Sequence, residues 1–175
     1  MPGWWEAKPD SRLSQGDIIL GVPVVIALHQ LAQLQKNKGE TLWRESSTWT
    51  PNKEGVGNLI SRGRVVPVIV LSHDCEIDKP ESKARIGVAP LALITNLGDE
   101  ERTKVLAQHR ISKMPLPDVP TLGSHYADLR LITSVDRIFL DTSNRVASLS
   151  EDGLGRLRLQ LIAFYTRLNA ESHRA

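Results

Sequence analysis

Two proline-interrupted aliphatic runs set the tightest limits on what this chain can become. RVVPVIVLS spans Arg64 to Ser72, and ARIGVAPLALI spans Ala84 to Ile94. Both are dense in Val, Ile and Leu, whose side chains suit a pleated surface. Their near-continuous apolar character predicts strands covered on both faces. Pro67 lies inside the first run and argues for an edge position or a bulge there; Pro90 interrupts the second. The longest apolar stretch, Val22 to Leu28, falls far short of the roughly 20 residues that a membrane-crossing helix needs.

Around these runs the chain offers weaker signals. Residues 1–14 read as an irregular arm broken by Pro2, Gly3 and Pro9. QGDIIL begins with Gly16 and reads as a strand over Asp17 to Leu20. VVIALHQLAQLQ, from Val24, fits a short helix or a longer strand. From Lys36 to Gly63 the composition turns polar without periodicity, which predicts a long insertion loop. Residues 98–109 place acidic groups before Lys104, as a short helix prefers. RISKMPL reads as a strand and PDVPTLG as a loop. Asp128 to Asp141 alternates like two strands with a turn near residues 134–136. The C-terminal segment is the clearest helix. Ser148 and Glu151 make a capping-box pattern, and Leu154, Leu157, Leu161, Phe164 (or Tyr165) and Leu168 form one apolar stripe. Gly153 and Gly155 weaken its first turn by about 1 kcal/mol each.

Composition narrows the class. With 175 residues, 41% hydrophobic and 24% charged, the chain suits one globular domain spanning residues 1–175. Lys plus Arg exceed Asp plus Glu by only 22 to 20, so nucleic-acid binding requires clustering of the basic groups on one face. A single cysteine, Cys75, rules out an internal disulfide and a Cys-rich zinc site. The opening MPGWWEAKPDSR carries no apolar core of a secretory signal, and the expected address is cytoplasmic, without a membrane. Four Trp residues against two Phe and two Tyr is an unusual split. Trp4 and Trp5 near the start, and Trp43 and Trp49 in the polar stretch, suit the covering of an edge or a binding surface.

The order of QGDII, VVPVIVLS, IGVAPLALIT, DLRLITSVDRI and the LSEDGLGRLRLQL helix resembles the PemK/MazF-type toxin ribonucleases of bacterial toxin–antitoxin systems, over about half of the chain. The resemblance implies an α+β fold: a small SH3-like antiparallel barrel with a long insertion and a C-terminal helix. It also implies RNA as a partner, an antitoxin-like protein as another, a homodimer, and a bacterial or phage setting. In that family a basic residue directly precedes the proline of the middle strand. Here Val66 precedes Pro67, and the nearest arginine is Arg64. Ala92 stands where the family carries a Ser or Thr, with Thr95 three residues on. The family's cleavage groups are therefore not matched, and Arg64 is the cation left for such chemistry, with Ser72 or His73 nearby.

The densest cluster of reactive side chains is SHDCEIDK, Ser72 to Lys79. If the preceding strand continued, His73 and Cys75 would project to one side and Asp74 and Glu76 to the other. Cys75 could then act as a nucleophile activated by His73. The same groups, with His109 or His125, could approach a metal, although the spacing matches no recognised site. Asp74 and Glu76 could hold a cation or a basic peptide. Against these stands the plain alternative that Cys75 is a small buried residue and its neighbours cap the turn. In GSHYADLR, Tyr126 is a candidate to stack on a base, and His125 and Arg130 to contact phosphate. Arg62, with Arg64, offers a basic entry to the first aliphatic run. Asp17 reads as a structural turn carboxylate. No cofactor and no metal are assigned. Three readings follow: an RNA-interacting PemK/MazF-like protein, a non-catalytic protein-interaction barrel using Trp43 and Trp49, and a cysteine-dependent enzyme centred on Cys75.

Overall fold

The structure of the protein, a computed structural model, describes residues 3–6, 11–25, 31–37, 40–46, 59–61, 63–79 and 85–166. For residues 31–37, 40–46 and 59–61 it describes the backbone alone. The chain divides into two compact units, Met1–Val22 with Val66–Ala175, and Pro23–Val65.

The fold is α+β, mainly antiparallel sheet with a C-terminal helix. Its strands are β1 (Asp17–Val25), β2 (Leu31–Asn37), β3 (Glu40–Ser46), β4 (Leu59–Ser61), β5 (Gly63–Val70), β6 (Arg85–Leu93), β7 (Lys113–Val119), β8 (Gly123–Asp128), β9 (Thr133–Asp136) and β10 (Arg145–Ser148). The helices are α1 (Asp74–Ile77), α2 (Asp99–Leu106) and α3 (Glu151–Thr166). A seven-stranded sheet runs β10–β1–β5–β6–β8–β7, with β9 also paired to β6.

The two aliphatic runs form neighbouring strands of this sheet. Val68, Ile69 and Val70 of β5 are all buried, as are Ile86, Val88, Ala89 and Leu91 of β6. Consecutive burial fits strands covered on both faces. The register sets Val68 against Pro90 and Val70 against Val88. One edge of β6 serves two partners in succession, β9 along Arg85–Val88 and β8 along Leu91–Leu93. Residues from β1, β5, β6, β7, β8, β10 and α3 meet in a single apolar cluster. Leu157 of α3 is fully buried in it, with Leu154, Leu161 and Phe164 packed alongside, so these positions of the predicted stripe cover the sheet; Tyr165 is exposed, and Leu168 lies outside the described residues.

Several expectations are corrected. The stretch predicted as a loop over 36–63 contains strands: β2 pairs with β3 from Leu31–Ser46 to Asn37–Glu40, and with β4. Its residues are polar and lack a period of two, so pairing across a hairpin left no apolar trace in the sequence. The helix considered after Val24 is absent from 31–37, which is β2. PDVPTLG, read as a loop, completes β7 and turns into β8 at Gly123, whose φ of +78° suits a glycine. Residues 128–141 hold one strand, β9, flanked by 3-10 turns at 129–131 and 137–139. Helix α3 is capped by Ser150, whose Oγ accepts from the Gly153 amide at 3.2 Å. Ser148, the expected cap, is engaged elsewhere. The interior of α3 tolerates Gly153 because a Cβ there would meet the Trp4 carbonyl oxygen at 2.8 Å.

Candidate functional site: the Asp17 cavity and the Ser72–Lys79 turn

The best-organised polar site lies in the larger unit and starts from a glycine. Gly16 has φ +91°, and a Cβ there would come within 2.7 Å of Leu154. Only glycine lets the backbone approach α3 this closely in that conformation. The next residue, Asp17, is thereby delivered into the interior, where it has no exposed surface.

Its carboxyl group is fully occupied. Oδ2 accepts from the Ser14 amide at 2.9 Å and from Arg145 Nη1 at 2.9 Å. Oδ1 accepts from Ser148 Oγ at 2.5 Å. Ser148 stands opposite Asp17 in the β1–β10 register, so the ladder itself brings the two together. Arg145 also donates to the Arg12 carbonyl at 2.6 Å, tying the approach to β1 onto β10. A buried charge needs such a set of partners, because desolvation is otherwise very costly.

Gln15 extends the network. Its amide donates to Asp74 Oδ1 at 2.9 Å, its Nε2 to the Leu71 carbonyl at 2.7 Å, and its Oε1 accepts from Arg158 Nε at 3.0 Å. Glu6, Ser14, Gln15, Asp17, Asp74 and Arg145 line a cavity of about 260 Å³, closed on its apolar side by Leu149 and Leu154. Ligand pockets typically run from about 300 Å³ upward, so this space suits nothing as large as a nucleotide. Among the described residues, no buried side-chain nitrogen or oxygen lacks a partner. The network ties the start of β1 to β10, α1 and α3.

The Ser72–Lys79 segment behaves differently. The strand does not continue, and the chain turns at once into α1. The His73 carbonyl accepts from the Glu76 amide at 2.8 Å, and Asp74 O from the Asp78 amide at 2.9 Å. The strand alternation expected for His73 to Glu76 is therefore replaced by a single helical turn. His73 sits at its N-cap, with Nδ1 3.4 Å from the Cys75 amide nitrogen. Cys75 is exposed, which corrects the buried alternative. Glu76 is exposed and pairs with Lys79. Ser72 Oγ accepts from the Gly87 amide at 2.8 Å. Of this segment, Asp74 reaches the cavity; His73 and Cys75 are not among its lining residues.

The other candidates are scattered. Tyr126 and His125 are buried at 8% and 7% exposure, so neither presents a free face to a base or a phosphate. Lys113 lies 5.7 Å from the Tyr126 ring centroid, and His125 Nδ1 is 3.1 Å from the Gly123 carbonyl. Arg130 is exposed and held by Asp128 through Nε at 2.9 Å and Nη2 at 2.6 Å. Hydrogen bonding and charge from Asp128 raise its pKa above the ordinary arginine value. The pair forms within one turn at the end of β8, and not across the sheet. Arg64 is exposed on β5. Arg62 and Trp49 lie outside the described residues, as does the side chain of Trp43, whose backbone pairs with Leu34 in β3.

Sequence reasoning missed Arg145, Ser14 and Ser148 as a group around Asp17, and Gln15 as its link to Asp74. The most distant of the Asp17 partners lies 131 positions away, and no local spacing records it. No family model matches the chain, and no curated protein shows significant sequence similarity to it.

Proposed function

We propose that the chain is a PemK/MazF-like RNA-interacting protein that binds RNA without cleaving it. The observation that supports this reading is the use the larger unit makes of the resembling segments. QGDII, VVPVIVLS and IGVAPLALIT become the adjacent strands β1, β5 and β6, and DLRLITSVDRI leads through β10 into α3. The terminal strands of the sheet order, β7 and β10, feed one apolar cluster, as the sides of a small barrel do. Cleavage would require a base for the 2′-hydroxyl and a cation for the developing phosphorane charge. Ser72 is committed to the Gly87 amide, and His73 caps a turn. Arg130, braced by Asp128 with its guanidinium outward, is the phosphate contact we assign.

A fluorescence anisotropy titration with labelled single-stranded RNA tests the reading. Binding that weakens steadily between 50 and 200 mM salt, on the order of tenfold or more for several phosphate contacts, is expected, with the RNA recovered intact. No binding at low salt overturns it.

A second reading, a protein-interaction module, draws on α3. Leu159, Ile162 and Tyr165 are 68%, 56% and 68% exposed on the helix face away from the cluster. Exposed apolar patches mark interaction surfaces. Retention of RNA binding by Leu159→Ser with Ile162→Ser, together with loss of a protein partner, would separate the two surfaces.

A further inference from the structure

The N-terminal segment 3–6 is held in the manner of a bound peptide. Trp5 forms an antiparallel bridge with Leu149, just beyond β10, and two backbone hydrogen bonds flank it. The Glu6 amide donates to the Ser148 carbonyl and the Ser150 amide to the Trp4 carbonyl, each at 2.9 Å. β10 terminates the sheet order, so its outer edge has no other strand among the described elements. The Trp5 indole N–H donates to the Pro117 carbonyl of β7 at 2.9 Å. Ser150 Oγ donates to the Gly3 carbonyl at 2.6 Å, and Arg156 lies 5.0 Å over the Trp4 ring.

These contacts have the form of strand addition. Main-chain hydrogen bonds supply the register, and two indoles supply the anchoring. The segment gives no side chain to the fully buried core; Trp4 and Trp5 are only partly buried against it. Gly153 is shaped for the segment, since any larger residue would collide with the Trp4 carbonyl. An edge held by two ladder bonds and partly exposed side chains opens far more easily than the core beneath it.

We infer that the outer edge of β10, running into the first turn of α3, is a docking site for an extended indole-bearing polypeptide segment, which the chain's own residues 3–6 occupy as a displaceable strap. A partner segment carrying a small residue before paired indoles would compete for the same edge. Its backbone would meet Ser148 and Ser150, and its second indole the Pro117 carbonyl.

The test uses a dye-labelled peptide of residues 1–7 and two 175-residue chains, wild type and Trp4→Gly/Trp5→Gly. Anisotropy should show saturable binding to the double variant and at least tenfold weaker binding to wild type. There, the tethered strap competes at an effective concentration on the order of millimolar. Absence of binding to the folded variant, or equal binding to both chains, overturns the inference. Should the variant fail to fold, hydrogen exchange on the wild-type chain decides. The amides of Glu6 and Ser150 should exchange at least 100-fold faster than those of Leu71 and Gly16, which bond to Gly87 and Val70 in the sheet. Equal protection overturns the inference.

Discussion

Asp17 and Cys75 make an instructive pair. Cys75 stands among His73, Asp74 and Glu76, a grouping that looks reactive in one dimension. The chain turns into α1 there and leaves the thiol exposed, outside the cavity. Asp17 follows a glycine in an unremarkable strand start. It gathers a serine amide, a serine hydroxyl and an arginine from distant positions and becomes the centre of a buried network. Neighbours in sequence share a turn, whereas neighbours in a ladder share an interior. Adjacency of reactive side chains is thus a weaker guide to a site than a buried charge that demands partners.

The contrast can be broken by substitution. Asp17→Ala should have the largest effect, a loss of about 3–5 kcal/mol, because it removes the buried acceptor shared by Arg145, the Ser148 hydroxyl and the Ser14 amide. Urea unfolding of the variant reads this directly. A loss below about 1 kcal/mol would reduce the network to ornament.

A smaller effect should come from the ion cluster that joins α2 to β7. The hydrogen bond from Lys113 holds the Glu101 carboxyl below the ordinary value of 4.5, with help from Arg110 and against its partial burial. A carboxyl group whose pKa is lowered by folding stabilises the native state above its unfolded pKa. That contribution is lost as pH falls through the lowered folded value. The stability difference between wild type and Glu101→Gln should therefore be full above about pH 5 and vanish on acidification. A difference constant across that range would contradict the pairing.

Smallest of all, Cys75→Ala should change stability by no more than about 0.5 kcal/mol, as surface substitutions do, and leave RNA binding intact. Loss of binding or of any activity on this substitution would return the Ser72–Lys79 turn to the centre of the account.

How much was legible follows the same division. β5, β6 and α3 were readable because aliphatic density and a 3.6-residue stripe are local consequences of burial. α2 was readable from its charge order. β2, β3 and β4 were not, since a polar hairpin such as Gln35–Leu42 and Lys36–Thr41 is held by backbone pairing that composition does not record. The capping serine was misplaced by two residues because Ser148 and Ser150 both precede acidic residues. Only the ladder shows that Ser148 belongs to Asp17. The role of Trp4 and Trp5 in covering an edge was legible, because paired indoles outside an aliphatic run have few other uses.

The most direct test of the Asp17 network is a double-mutant cycle between Asp17→Ala and Arg145→Ala, read by equilibrium urea unfolding. The network predicts strong non-additivity, with a coupling of about 2 kcal/mol or more between the two positions. Single losses that simply add, within about 0.5 kcal/mol, would show that the two residues act independently and would contradict it.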